Sequence, residues 1–377
     1  MKYVGVDLHK KSISVCMMEI VDGKRKVVGR RRLSCQATPA IIDYFAALGE
    51  FRAVVEATAG YEWFLLLIEP LAERVLLAHP KKLRVIAECK HKSDKVDAQV
   101  LAKFLALDEI PEAYRPSPRI RQYRVLVRHR HYVQGRITSA KCKLRHKLAH
   151  YNADIAELFT ARGQKYLAEL ALSDADRFEV MALQQLLALL QEQLAAVDNE
   201  LTKFAATAPA AEREARAVLQ TMPLIGPVTT DVILSELGDW RRFRGAKKVV
   251  AYAGLDPGSR ASDGKGKQLH ITKDGSRLLR WALVEAAWRL VGKYQRWQAV
   301  HEKLRRNTGS KKKAIVGVAR RLLCVLFSML QSSQAYRMPA ELPAQKQSKR
   351  QPRAVGGLAG KVGLLQAHGH GCGLEKS

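Results

Sequence analysis

Four acidic residues in the first hundred positions have the types and spacing that suit chemistry. Asp7 ends Tyr3-Val4-Gly5-Val6-Asp7, Glu56 ends Ala53-Val54-Val55-Glu56, and Asp94 and Asp97 stand three apart in Lys92-Ser93-Asp94-Lys95-Val96-Asp97. The first two close short apolar runs, and the last two share one face of a helix that contains them. Hard carboxylate oxygens converging from separate segments are what one or two Mg²⁺ ions at a phosphoryl centre require. Each site taken alone also has a plainer reading, as a solvated acid at a strand end or as an N-cap and first-turn acid facing a helix dipole. Taken together, in a chain with 64 Lys and Arg against 36 Asp and Glu, the four favour the metal-site reading.

The elements that must position these acids follow from local patterning. Apolar, β-branched runs predict strands over 2–7 and 12–18, and a third over 26–33 after the Asp22-Gly23 turn. A helix over 38–48, a strand over 53–56, a helix over 62–73, a short strand over 75–78 and a helix from Asp94 to about 107 follow. Three strands in series and then alternating helix and strand is the order of a ribonuclease-H-like α/β domain. In that order the first acid projects from the central strand, the second ends the fourth, and the last pair lies on a helix crossing the sheet. Residues 1–110 form this domain.

The chain of 377 residues is too long for one ordinary core, and its 47% hydrophobic content is ample for several. The formal charge of +28 makes nucleic acid the leading partner. A membrane is set aside, since no uninterrupted run of about 18 apolar residues appears and the chain opens directly on a strand. Six cysteines without a C-x-x-C pair suit a reducing compartment.

Pro111, Pro116 and Pro118 mark a boundary. From Arg115 to Lys147 no acid occurs, while Arg119, Arg121, Arg124, Arg128, Arg130, Arg136, Lys141, Lys143, Arg145 and Lys147 recur at helical spacings, which predicts a helix facing nucleic acid. Residues 181–205 carry apolar positions at three- and four-residue steps and predict a long helix seeking a partner, as in a coiled coil, so that 111–210 is a basic helical and coiled-coil region. Leu219-Gln220-Thr221-Met222-Pro223-Leu224-Ile225-Gly226-Pro227-Val228-Thr229 reads as a helix-hairpin-helix, whose turn presents backbone N–H groups to a phosphate. A Gly-, Ser- and Lys-rich loop over 256–267 and helices over 276–292 and 311–332 complete a mainly helical region over 211–335. From 336 to 377 Pro, Gln, Lys and then Gly dominate, predicting a disordered tail.

Gly5-Val6-Asp7, Val55-Glu56-Ala57-Thr58-Ala59-Gly60, Lys92-Ser93-Asp94-Lys95-Val96-Asp97-Ala98, Pro223-Leu224-Ile225-Gly226, Ala253-Gly254-Leu255-Asp256-Pro257 and Ile271-Thr272-Lys273-Asp274-Gly275 follow one another over about residues 1–335. This ordered set resembles the IS110-type, or DEDD, transposases and within them the IS1111-related branch. The resemblance implies an N-terminal RuvC-like domain, a helical coiled-coil segment and a C-terminal transposase domain with a catalytic serine. Carried over by position, the DEDD acids are Asp7, Glu56, Asp94 and Asp97, acting with Mg²⁺. The serine, nine residues before the Ile-Thr-Lys-x-Gly motif, is Ser262, with Ser259 as the second position because Asp263 stands where the family commonly has Gly. Arg260, Lys265 and Lys267 flank it and would neutralise the attacked phosphate.

The resemblance further implies that the serine attacks a DNA phosphodiester, holds a covalent link and permits exchange between donor and target DNA. A structured noncoding bridge RNA would guide this, in a dimer or tetramer in the prokaryotic cytoplasm, associated with the nucleoid. A Piv-like DNA invertase shares these domains and differs in the DNA it joins, and a RuvC-like endonuclease using water would need the acids without the serine.

Overall fold

Val4, Val6 and Leu8 are buried, and they alternate with Tyr3, Gly5 and Asp7 in the period of a pleated strand. In the computed structural model, which describes residues 1–58, 60–86, 94–262 and 265–337, this strand, β1 (Lys2–Leu8), lies at the centre of a five-stranded sheet. β2 (Ser12–Val21), β3 (Lys24–Ser34), β4 (Phe51–Glu56) and β5 (Arg74–Ala78) complete it in the order β3-β2-β1-β4-β5. β1 with β2 and β2 with β3 run antiparallel, whereas β1 with β4 and β4 with β5 run parallel. The antiparallel joins need only tight turns, and parallel neighbours need a crossover. α1 (Thr38–Ala46) returns the chain from β3 to β4, and α2 (Glu62–Ile68) crosses from β4 to β5. Ile41, Phe45, Phe64 and Ile68 of these helices pack with Val4, Val6 and Val55 on one face of the sheet.

The other face is covered differently. After the short α3 (Pro80–Ile86), α4 (Asp94–Ala106) crosses β1. Gly5 decides how closely: a Cβ there would stand 2.1 Å from the Ala98 carbonyl oxygen and 2.4 Å from the Ala102 nitrogen. The helix backbone therefore rests directly on the strand. Val54, Leu76, Leu101 and Leu105 fill the remainder of this layer.

Beyond the sheet the chain is mainly helical. α5 (Pro118–Ala149) begins at Ser117, whose hydroxyl accepts from the Ile120 N–H, with Pro118 preset at the first helical position. α6 (Ala161–Glu169) and α7 (Asp174–Ala206) follow, the latter capped by Ser173. Arg130 pairs with Asp198 and Lys147 with Asp176, so α7 runs antiparallel to α5. The partner that the apolar face of 181–205 requires is thus in the same chain, where Val180, Leu183 and Leu187 pack with Val133, Ile137 and Leu144. α8 (Ala210–Gln220), α9 (Pro227–Leu237), α10 (Ala246–Tyr252), α11 (Arg277–Lys293), α12 (Gln295–Thr308) and α13 (Lys311–Ser332) build the largest core around Leu219, Ile233, Leu283, Leu322 and Phe327. α7 and α13 are long and apolar enough, by length and mean hydropathy, to cross a bilayer. Here both lie against other helices of the chain, α13 among the core residues and α7 along α5.

The stretch predicted as a loop over 256–267 is instead a hairpin of β6 (Pro257–Ser262) and β7 (Lys265–Ile271). Poor local strand formers pair here because the base of the hairpin is clasped. Gly254, at φ +65°, meets the 273–275 backbone so closely that a Cβ would stand 2.6 Å from the Asp274 nitrogen, and one on Gly275 would stand 1.9 Å from the Tyr252 oxygen. Thr272 N–H donates to the Asp256 carbonyl at 3.0 Å and Lys273 N–H to that of Gly254 at 3.1 Å. α3, α6, α10 and α12 are elements that local patterning did not predict. The region expected as a disordered tail lies, from residue 338, outside the described residues.

The Gly5→Ala substitution is expected to lower folding stability by about 1–3 kcal/mol, as overpacking against immovable backbone does, measured by chemical denaturation of the two proteins side by side.

Candidate active site

The carboxylates gather at one end of the sheet through register. β1 and β4 are paired in parallel from Lys2 with Phe51 to Val6 with Val55, so Asp7 and Glu56 are the next positions along neighbouring strands. Both fall on the face covered by α4, because Gly5 and Val54 two residues earlier belong to that face. Asp97 immediately precedes Ala98, the residue seated on Gly5. Asp94 begins α4, and its side chain lies outside the described set. Asp7 is 5% exposed, Glu56 and Asp97 are half-buried, and the Asp7 Oδ2 lies 3.0 Å from His9 Nε2. His9 is a polar neighbour that patterning passed over as a turn residue. The signal for it was the Asp-x-His spacing at the exit of a strand.

Among the described residues, no group of three or more His, Cys, Asp or Glu side chains stands at metal-holding distances. The donor chemistry nonetheless suits a hard divalent cation, since carboxylates on two adjacent strand ends and on the helix laid across them are oxygen donors from separate elements.

Ser262 occupies the last paired rung of the β6–β7 hairpin, opposite Lys265, while Ser259 pairs with Gln268 next to a register irregularity. The side chains of Ser259, Arg260, Ser262, Lys265 and Lys267 lie outside the described set. The two motifs that flank the hairpin form its clasp. Thr272 Oγ1 donates to Asp256 Oδ1 at 2.6 Å, and Arg280 Nη1 donates to the carbonyls of Ala253 and Gly275 at 3.1 and 2.8 Å.

The basic helix is arranged otherwise than its one-sided charge suggested. Arg119 pairs with Glu212, Arg121 with Glu62, Arg128 with Glu236, Arg130 with Asp198, Lys143 with Glu179 and Arg145 with Asp154. Arg124 donates to the Ser235 and Glu236 carbonyls, closing the C-terminal end of α9. Arg115 is held by Glu62 and Glu69, whose hydrogen bonds raise its pKa. Lys147 lies between Asp176 and Glu179, and the Asp176 carboxyl is pulled down to about 2 by Lys147, with Tyr151 and Ser173 adding hydrogen bonds. Arg136 and Lys141 stack over Tyr132 and Phe159 instead. Most cations of α5 therefore bind the acids of α2, α7, α8 and α9. These partners stand far off in sequence, Glu62 of α2 59 residues before Arg121 and Glu212 of α8 93 residues after Arg119.

Residues 4–153 match a family model of IS110-type DEDD proteins described as a transposase, and residues 216–302 match one described as the transposase IS116/IS110/IS902 family. The chain is 25% identical over 295 residues to a probable family 20 transposase of Pseudomonas aeruginosa, covering 75% of this chain and 82% of that one. It is 23% identical to the transposase for insertion sequence element IS1328 of Yersinia enterocolitica, with the same two shares, 75% and 82%. The transposase for IS1111A of Coxiella burnetii is 23% identical over 298 residues, 76% of this chain and 77% of that one.

Arg128→Ala leaves the buried Glu236 carboxylate without its guanidinium and is expected to destabilise the fold by about 1–3 kcal/mol. Arg136→Ala, which breaks no ion pair among the described residues, is expected to stay within about 0.5 kcal/mol of the parent. Paired urea titrations of the two variants check the contrast.

Proposed function

Because the chain belongs to the IS110 family of transposases, we propose that this DNA transposase joins donor and target DNA through a covalent link to Ser262, assisted by the DEDD acids. The observation that carries the reading is the meeting of Asp7 and Glu56 at adjacent strand ends beneath α4, in a chain that presents Ser262 on the last rung of a clasped hairpin. The sheet order β3-β2-β1-β4-β5 suits a RuvC-like, ribonuclease-H-like centre.

The chemistry balances without an external energy source. Ser262 Oγ loses its proton and attacks phosphorus, a P–O bond to a deoxyribose oxygen breaks, and that oxygen takes up a proton. The phosphoserine diester retains the bond energy, so a second DNA hydroxyl can displace the serine and reseal a strand. An unassisted alcohol is a weak nucleophile, and a neighbouring base or metal must activate it. Mg²⁺ held by Asp7, Glu56, Asp94 and Asp97 would supply stabilisation of charge growing on the phosphate. Arg260, Lys265 and Lys267 flank the serine on the hairpin and neutralise the attacked group. Arg136 and Lys141 are the α5 cations left for backbone contacts. The turn between α8 and α9, with Leu224 at φ +63° and Gly226 opening α9, offers its backbone N–H groups to a further phosphate.

A structured bridge RNA is the guide in this reading, and the protein works in the prokaryotic cytoplasm at the nucleoid. Self-association uses the second apolar stripe of α7: Phe178, Met181, Leu186 and Leu189 are exposed on the side opposite Leu183 and Leu187. Phe178 is 76% exposed, which a lone chain leaves in water at a cost.

Incubating the protein with Mg²⁺, the flank-encoded RNA and labelled junction DNA is expected to give a protein-linked DNA band on a denaturing gel. Ser262→Ala, Asp97→Ala and chelation of the metal each abolish it; cleavage that survives Ser262→Ala with no covalent band would mean a water-using nuclease. Leu189→Glu is expected to shift the protein to a smaller species in sedimentation with its thermal midpoint nearly unchanged.

A further inference from the structure

A cleft of about 1500 Å³ opens between α3 and the β5 edge on one side and α5, α10 and the 274–276 segment on the other. It exceeds the roughly 300–1,000 Å³ of a small-ligand pocket. Lys81, Lys82, Arg244 and Lys248 line it and are exposed. Unlike most cations of α5, Lys82, Arg244 and Lys248 have no ion-pair partner among the described residues. Lys81 pairs across the cleft with Asp274. Below them Arg242 is wedged over the rings of Tyr114, Phe243 and Tyr252 at 3.7, 4.0 and 4.4 Å, a packed floor that belongs to the fold.

The position of the cleft matters as much as its charge. Ala78 at the end of β5 pairs with Glu56, so His79 and Pro80 on the cleft wall lie one strand beyond the acid end of the sheet. The opposite wall, Asp274 to Ser276, is the clasp at the base of the hairpin that carries Ser262. The geometry points to this cleft as the track of the DNA strand that is cut, with its phosphates neutralised by Lys82, Arg244 and Lys248 and by a Lys81 released from Asp274. DNA is the occupant because the cleft joins the two elements whose chemistry acts on DNA, and in this respect the inference rests on the function proposed above. The Lys81–Asp274 pair is 71% and 54% exposed on its two sides. Such a pair is worth no more than about 1 kcal/mol, so a phosphate can replace the carboxylate.

The test is fluorescence anisotropy of a short labelled DNA duplex with the full-length protein, without Mg²⁺ so that no chemistry occurs, over a salt series, with a structured RNA of equal charge as the second arm. The triple variant Lys82→Ala, Arg244→Ala, Lys248→Ala is expected to reduce the slope of log affinity against log salt by about 2.7, at roughly 0.9 per phosphate contact, and to weaken DNA binding about tenfold or more near 0.1 M salt. Single Lys82→Ala should take about a third of that slope. Lys247→Ala, on the same helix but off the cleft lining, should take less than half as much as Lys248→Ala. Asp274→Asn should tighten binding by up to about fivefold. An unchanged slope in the triple variant, weaker binding by Asp274→Asn, or a loss confined to the RNA arm would each overturn the assignment. Since no bond is made or broken in this assay, a missing covalent band in the gel experiment would remove the serine and leave the cleft standing.

Discussion

Everything at the acid end of the molecule depends on the absence of a side chain at Gly5. In the interior of a strand glycine is unfavourable by roughly 0.5–1 kcal/mol relative to alanine. Here that loss lets the backbone of α4 settle against β1, with Ala98 and Ala102 where a Cβ would otherwise be. The consequence is positional. Asp97 is the residue next to the contact, Asp7 is two residues along the same face of β1, and Glu56 is beside Asp7 through the parallel register. A helix standing off by a normal side-chain layer would carry its acids several ångströms away from the strand ends. Val54, Leu76, Leu101 and Leu105 then make this placement part of a packed core.

The second constraint is the cost of burying carboxylates. Glu212, Asp231 and Glu236 are 8%, 8% and 1% exposed, and a charge removed that far from water must be paired. Arg119, Arg216 and Arg128 provide the partners, and Tyr123 donates its hydroxyl to Asp231 at 2.7 Å, so burial and the adjacent carboxylate drive the phenol pKa far up. These contacts tie α5 to α8 and α9, while Arg115 and Arg121 tie its beginning to α2. The long helix is the strut between sheet and helical core, and its charge is the means of attachment.

Much of the first hundred residues was legible because their elements are specified locally. The apolar, β-branched runs of β1 and β2, the Asp22-Gly23 turn and the apolar run of β4 each carry their own signal, and the predicted boundaries lie close to those of the sheet. The places of Asp7 and Glu56 at strand ends were legible for the same reason, since such runs stop there. What was not legible depends on distant partners. The β6–β7 hairpin is rich in Gly, Ser and Lys, poor strand formers, and its base is clasped where Gly254 and Gly275 interlock. The fate of the α5 cations was hidden likewise, since Glu212 and Glu236 lie about a hundred residues downstream. His9 was missed for a smaller reason: its one signal, the Asp-x-His spacing at the end of β1, also fits an ordinary turn residue until the contact with Asp7 is seen.

Separating structural from available cations changes how a net charge of +28 should be understood. Charges locked to buried carboxylates cannot be exchanged for phosphate without exposing the acid they neutralise, so they contribute little to binding a polyanion. Lys82, Arg244 and Lys248 carry no such obligation, and they line the gap between the acid end of the sheet and the base of the serine hairpin. The ion pair across that gap, among the described residues, is the exposed Lys81–Asp274 pair. Its small worth means that the two walls are held in register by the α5 strut and by the packing of Arg242 on Tyr114 beneath them. A DNA strand entering the gap would then compete with one weak ion pair, while the framework that positions the acids and the hairpin stays intact.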